Sequence, residues 1–244
     1  MRLTRVYVPD LSPGRRRTIE GDAANHITRV LRLKPGDPLI VFDGLGGEYG
    51  ASIEAFRKDA VIVAVGNHSA TTRESPLNLT LAQGVSRGER MDWVVQKATE
   101  LGVTRIVPVM TERTVVKLDS KQSARKLAHW RGIAVAACEQ SGRGRIPDIA
   151  SPLVLPDFFR GADPQATRLL LSPAGTQQVN DLQPKEAGIV VLIGPEGGLA
   201  ESEQRAAVAA GFVAVRLGPR VLRTETAAVA ALTLLQHRFG DLVD

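Results

Sequence analysis

Two stretches near the C-terminus share one form: Ile193-Gly-Pro-Glu-Gly-Gly-Leu199 and Leu217-Gly-Pro-Arg-Val-Leu-Arg-Thr-Glu-Thr226. Each follows a short apolar run, turns at Gly-Pro and enters a segment of helical composition. A third loop, Leu171-Ser-Pro-Ala174, also follows an apolar run. Glycine lets backbone approach a ligand closely, and proline stiffens the turn. Thr224 stands where a helix N-cap belongs, so the last helix would aim free amides at whatever the loops hold. A phosphate loop would end in Gly-Lys-Ser/Thr, which is absent, and Glu196 among glycines is a poor host for a polyphosphate. There is no Gly-x-Ser-x-Gly elbow, and four scattered histidines with one cysteine do not make a zinc site, so no metal is expected. The fitting ligand is bound mainly through main-chain groups and is cationic or neutral where it meets the carboxylate. S-adenosylmethionine (SAM) answers that description. One such loop would read as a strand-ending turn; two matched loops favour the walls of a site.

Those loops need strands and helices to hold them. Short apolar runs at Leu77–Gln83, Arg105–Val109, Leu169–Ser172, Ile189–Ile193 and Val213–Leu217 have the composition of parallel strands buried on both faces. Helical patterns lie between them. Ser86-Arg-Gly-Glu89 has capping-box spacing ahead of a helix faced by Met91, Val94, Val95, Ala98 and Leu101, and a long helix covers about 121–140. Further helices are expected at 201–210 and 225–238. This predicts an α/β domain with a mostly parallel sheet, whose ligands sit beyond the carboxyl ends of the strands. Residues 1–72 differ. Arg5–Val8, Pro38–Asp43, Glu48–Phe56 and Ala60–Val65 are strand-like, and Asp22 can cap a helix through Leu31. The polar stretch 67–76 has the composition of a linker.

The 244 residues allow one or two domains, and 43% hydrophobic against 23% charged is ordinary for a globular chain. No run of about 20 apolar residues suggests a membrane span. The single cysteine, Cys138, excludes an internal disulfide and fits a reducing cytoplasm. In an Ala-rich helical context it is expected to be a small buried residue rather than a nucleophile. Residues 1–35 carry eight Lys/Arg and three acids, which accounts for the whole formal net charge of +5. That concentration fits a nucleic-acid surface and equally a solvated basic face.

At this point a family resemblance becomes specific. IGPEGGLAESE (193–203) with LGPRVLRTETAAVAAL (217–232) resembles the cofactor signature of the SPOUT methyltransferases, closest to their branch that methylates uridine N3 in 16S ribosomal RNA. KATELGVTRIVPV (97–109) and ACEQSGRGRIPDI (137–149) resemble the same branch, and RVYVPDL with HITRVLRLKPGD resembles its PUA-like RNA-binding domain. The resemblance implies a small PUA-like β-barrel over 1–72 and a SPOUT methyltransferase domain over 73–244. In that domain helices cover both faces of the sheet, and a trefoil knot binds SAM. It also implies a cytoplasmic homodimer with composite active sites, acting on 16S ribosomal RNA of the small ribosomal subunit. Carried over, the cofactor positions are Leu171 and Ser172; Ile193, Gly194, Pro195, Glu196, Gly197 and Gly198; then Leu217, Gly218, Val221, Leu222, Arg223, Thr224, Thr226 and Ala227.

Methylation at uridine N3 requires removal of the imide proton and in-line placement of the nitrogen. Arginine beside the uracil carbonyls would stabilise the developing negative charge. Arg223 is therefore the first catalytic candidate, with Glu225 or Glu196 as base. Glu225 equally suits a first-turn helix acid, and Glu196 a loop brace. Arg5, His26, Arg29 and Arg32 are candidates for holding RNA, although His26 equally suits a satisfied helix histidine. Glu139, Gln140, Ser141 and Arg143 are candidates for substrate contact across the dimer, the alternative for Glu139 and Arg143 being a surface ion pair. The competing functions are a non-catalytic dimeric RNA-binding protein and a nucleotide-dependent α/β enzyme.

Overall fold

The computed structural model describes residues 3–70, 73–114 and 119–242. It divides into two units, Met1–Glu74 with Val135–Ile146, and Ser75–Ala134 with Pro147–Asp244. The expected boundary at residue 72 lies outside the described residues.

In the first unit, β1 (Arg5–Tyr7), β2 (Arg16–Glu20), β3 (Pro38–Phe42), β4 (Glu48–Arg57) and β5 (Ala60–Ser69) form one sheet in the order β1-β3-β4-β5-β2. β1 runs parallel to β3, and the other pairs are antiparallel. Alternation drives it: Val61, Val63 and Val65 of β5 turn inward onto Val6, Ile19, Leu39, Val41 and Ile53. β5 continues to Ser69, so Asn67, His68 and Ser69 are strand and not linker. Their polar side chains suit an exposed strand end, whose backbone pairs with β4 while the His68 ring meets Tyr49 edge-on at 5.0 Å. The helix expected from Asp22 is a short α1 (Gly21–Asn25) that widens into a π-turn over His26–Val30, closed by the Leu31 amide donating to the His26 carbonyl at 3.0 Å. Its N-cap is Glu20, without a side-chain cap, and Arg32 follows with φ of 52°.

Two buried arginines tie residues 135–146 into this unit. Arg143 donates from Nε and Nη2 to Glu74 Oε2 at 3.0 and 2.7 Å, and Glu74 Oε1 accepts the Gly144 and Arg145 amides, each at 3.0 Å. Arg5 pairs with Glu48, donates to the Arg143 carbonyl at 3.0 Å and lies over the Phe42 ring.

In the second unit, β6 (Leu79–Gly84), β7 (Arg105–Met110), β8 (Asp148–Ile149), β9 (Leu153–Val154), β10 (Thr167–Leu171), β11 (Ile189–Ile193) and β12 (Val213–Val215) form one sheet. Its order is β12-β10-β11-β6-β7-β8, with β9 also on β7, and every pairing is parallel. All five residues of β11 are buried; since successive side chains point to opposite faces, both faces are covered there. The helices are α2 (Glu89–Glu100), α3 (Ser120–Ser141, whose last residues belong to the first unit), α4 (Leu155–Gly161), α5 (Glu201–Ala209) and α6 (Thr224–Phe239). α2 buries Met91, Val94, Val95 and Ala98, as its periodicity predicts, whereas Leu101, the fifth residue of that face, is the C-cap and only half-buried because the helix ends at Glu100. Its cap differs from expectation. Gly88 is the N-cap, and the Ser86 hydroxyl donates to the Gly84 carbonyl, away from the helix. Buried Gln236 of α6 accepts the Ser75 hydroxyl at 2.6 Å and donates to the Leu101 carbonyl at 2.8 Å, which pins α6 beside the end of α2. No described helix is long and apolar enough to cross a membrane.

Glu74→Ala would remove the carboxylate paired with the buried Arg143 guanidinium and release the Gly144 and Arg145 amides, a change expected to destabilise the fold by about 3 kcal/mol. Urea denaturation measures it. A loss under about 1 kcal/mol, the range of an exposed pair, would contradict this account.

Candidate active site

Because the second sheet is wholly parallel, the carboxyl ends of β6, β10, β11 and β12 lie along one edge. Three side-chain hydrogen bonds lock their loops together. The Thr224 hydroxyl donates to the Gly194 carbonyl at 2.6 Å, while the buried Gln83 amide donates to the Thr224 oxygen at 2.9 Å and reaches the Gly194 carbonyl at 3.5 Å. Thr224 is therefore not the cap of α6; Arg223 takes that position. Its hydroxyl is engaged by the neighbouring loop instead. The approach demands glycine. A Cβ on Gly84 would overlap the Pro195 nitrogen, and one on Gly194 would meet the Leu199 amide nitrogen at 2.9 Å.

Beyond this lock opens a cavity of about 500 Å³, within the range of small-molecule sites. Leu170, Leu171, Ile193, Leu199 and Ala227 give it apolar walls, and the Gly194–Gly198 and Leu217–Gly218 turns supply main chain. Of the residues expected to bind a cofactor, Leu171, Ser172, Ile193, Gly194, Pro195, Glu196, Gly197, Gly198, Leu217, Gly218, Val221, Leu222, Arg223, Thr224 and Ala227 all line it. Thr226 does not; it is exposed on the first turn of α6.

The two carboxylates at the cavity differ in environment. Glu196 accepts the Arg87 amide at 3.0 Å and Arg90 Nη1 at 2.7 Å. Burial pushes its carboxyl up, but the Arg87 amide, its own amide and the Arg90 guanidinium outweigh that and hold it below its ordinary value. Glu225 Oε2 is buried with no hydrogen-bond partner, and its charge reaches Arg90. Such a cavity suits a ligand with an apolar body and a donor or cation to offer the free oxygen.

Sequence reasoning missed Arg90, Arg113, Arg216 and Arg220, which also line the cavity. Arg113 Nη1 donates to the Gly197 carbonyl at 2.8 Å. Arg90 and Arg113 follow the carboxyl ends of β6 and β7, so the signal was their position after parallel strands rather than any motif. Of the expected RNA contacts, His26, Arg29, Arg32 and Gln140 are exposed. Arg5 and Arg143 are buried, their guanidiniums engaged inside the first unit, so neither is offered to a phosphate and Arg143 is no surface ion pair. Glu139 is half-buried and accepts the Tyr7 amide at 2.9 Å. Burial raises its carboxyl pKa against the lowering pull of that amide, His26 and Arg5. Cys138 is fully buried and its thiol is pushed up to about 12 by burial, as packing rather than reactivity requires.

Residues 73–236 match the RNA methyltransferase domain family, and residues 19–66 match the RNA methyltransferase PUA domain. The chain belongs to this RNA methyltransferase family. Its relatives include the ribosomal RNA small subunit methyltransferase E of Buchnera aphidicola from Schizaphis graminum, 34% identical over 89% of this chain and 89% of that protein. The Bacillus subtilis protein of the same name is 33% identical over 91% of this chain and 90% of its own. A putative methyltransferase from Legionella pneumophila, solved with bound SAM, is 42% identical with a TM-score of 0.94, covering 99% of this chain and 100% of that one. The ribosomal RNA small subunit methyltransferase E of Neisseria gonorrhoeae, also bound to SAM, is 37% identical with a TM-score of 0.93 over the same shares.

In this methyltransferase the Glu196 tether gives a signed pH dependence. The folded pKa lies below the ordinary 4.5, so the contribution is complete above about that pH and is lost as pH falls through the folded value. Hydrogen-exchange protection of the Arg87 amide is expected to hold from neutral pH into the carboxylate range, drop below it, and vanish at every pH in Glu196→Ala. Protection that survives the substitution would contradict the tether.

Proposed function

We propose that this chain methylates N3 of a uridine in small-subunit ribosomal RNA, using SAM as donor. The assembled subunit is its substrate, and it acts as a cytoplasmic homodimer. The observation that carries this proposal is the pairing, on one main-chain-walled cavity, of Arg223 with a buried and unpartnered Glu225 oxygen. The names of the relatives and the SAM held by the two solved neighbours support it.

SAM supplies an electrophilic methyl group on a sulfonium. The apolar walls and the glycine turns at 194–198 and 217–218 bind and orient that donor, and Gln83 with Thr224 fixes the distance between the turns. Arg223 stabilises negative charge on the uracil carbonyl oxygens as the imide proton leaves. Glu225 is the base that takes the proton, because its Oε2 is unoccupied. Glu196, held ionised by Arg87 and Arg90, is the brace. Residues 1–72 hold RNA through His26, Arg29 and Arg32, joined by Gln140, while residues 73–244 carry out transfer. The SPOUT fold implied for 73–244 adds a trefoil knot and helices on both faces of the sheet, and the PUA-like part a closed barrel.

Mass mapping of ribosomal RNA from cells lacking the protein is the test. One methyluridine is expected to disappear, to return with wild type and to stay absent with Arg223→Ala. In vitro, Arg223→Ala is expected to lower kcat by about 10²- to 10³-fold. Glu225→Gln is expected to lower kcat with little change in SAM affinity. An unchanged methylation map would refute the proposal.

A further inference from the structure

The cavity carries more positive charge than its donor calls for. Among the described residues Arg90, Arg113, Arg216, Arg220 and Arg223 line it, against Glu196 and Glu225. Two of these arginines are explained by bracing: Arg90 holds Glu196, and Arg113 holds the Gly197 carbonyl. The other three lie on one loop, Arg216 to Arg223, between β12 and α6. All three are exposed, and among the described residues none has a recorded hydrogen bond or ion pair from its guanidinium. Arg223 has its role beside the uracil. Arg216 and Arg220 have none.

A sulfonium donor is itself cationic at its reactive end, so an excess of guanidinium around it costs affinity rather than adding it. The donor carries a single carboxylate, which one arginine fork satisfies without a second at the rim. The same loop also presents Val221 at 80% exposure and leaves Leu222 half-buried. A solvated rim does not require an apolar side chain standing out between arginines. A strand of RNA does suit it, because phosphates take the arginine forks while riboses and bases lie on the apolar surface between.

We infer that Arg216 and Arg220 bind phosphates of the substrate RNA on either side of the reacting nucleotide, so that the cofactor loop is itself an RNA-binding surface. This rests on the proposal that the cavity takes SAM. The contact is to backbone, so it adds affinity and register without reading sequence. Both arginines belong to the second unit, whereas the basic residues 1–35 belong to the first.

The experiment compares wild type, Arg216→Ala/Arg220→Ala and Arg216→Lys/Arg220→Lys. Binding of labelled polyuridylate and polyadenylate is titrated against salt without cofactor, and SAM binding is measured separately by calorimetry. The alanine pair is expected to weaken both RNAs about tenfold and to flatten the slope of log K against log salt by about 1.4, the single-strand value for two phosphates. The lysine pair is expected to keep the slope, and all three proteins to bind SAM within about twofold of one another. An unchanged slope in the alanine pair would overturn the inference. So would a loss of SAM affinity without a loss of RNA affinity, which would assign the arginines to the donor's carboxylate. Wild type that fails to bind SAM would defeat the cofactor proposal alone, because the RNA titrations still decide the role of Arg216 and Arg220.

Discussion

The Gly194 carbonyl and the Thr224 hydroxyl, 2.6 Å apart, are the contact on which the site depends. Gln83 closes the arrangement from β6, so a single buried node joins the carboxyl end of one strand, the turn after another and the first residue of α6. The Thr224 hydroxyl and the Gln83 amide nitrogen find partners there, as burial demands when an unpaired polar group costs on the order of 1–3 kcal/mol, while Gln83 Oε1 has none among the described residues. The node also dictates sequence around it. Gly84 and Gly194 have no room for a side chain, and the pocket walls inherit their spacing from that close approach.

Two carboxylates at one cavity take different roles because their surroundings differ. Glu196 sits on the turn and accepts an amide and a guanidinium through Oε1, which suits it to be a strut. Glu225, one residue into α6, keeps an oxygen that no group among the described residues satisfies. A fold tolerates such an atom where a ligand will occupy it. Both carboxylates act electrostatically on Arg90, Glu196 the more strongly.

Much of this was legible in residues alone. The apolar runs gave the parallel strands at 189–193 and 105–109, and the matched Gly-Pro loops gave nearly the whole cavity lining, because the strand-ending turn is written locally. What failed depended on tertiary partners. Thr224 looks like a cap by composition and becomes a tie because Gly194 lies beside it. Ser86 has capping-box spacing, yet its hydroxyl turns back to Gly84. Arg5 looked like an RNA contact because charge is counted along the chain, and Arg143 like a substrate contact because its stretch resembles the family's, whereas their acceptors, Glu48 and Glu74, lie 43 and 69 residues away. Arg90 and Arg113 were invisible for the opposite reason, since only the parallel register brings the ends of β6 and β7 to the cavity edge.

The central claim is that the space between the two Gly-Pro loops is a SAM site closed by the Gln83–Thr224–Gly194 node. Calorimetry on wild type and Thr224→Val, with SAM and with ATP, tests it most directly. The account predicts that wild type binds SAM with one site per chain and does not bind ATP, and that the folded Thr224→Val protein loses SAM affinity by about tenfold or more. SAM affinity unchanged in Thr224→Val, or ATP bound as well as SAM, would contradict it.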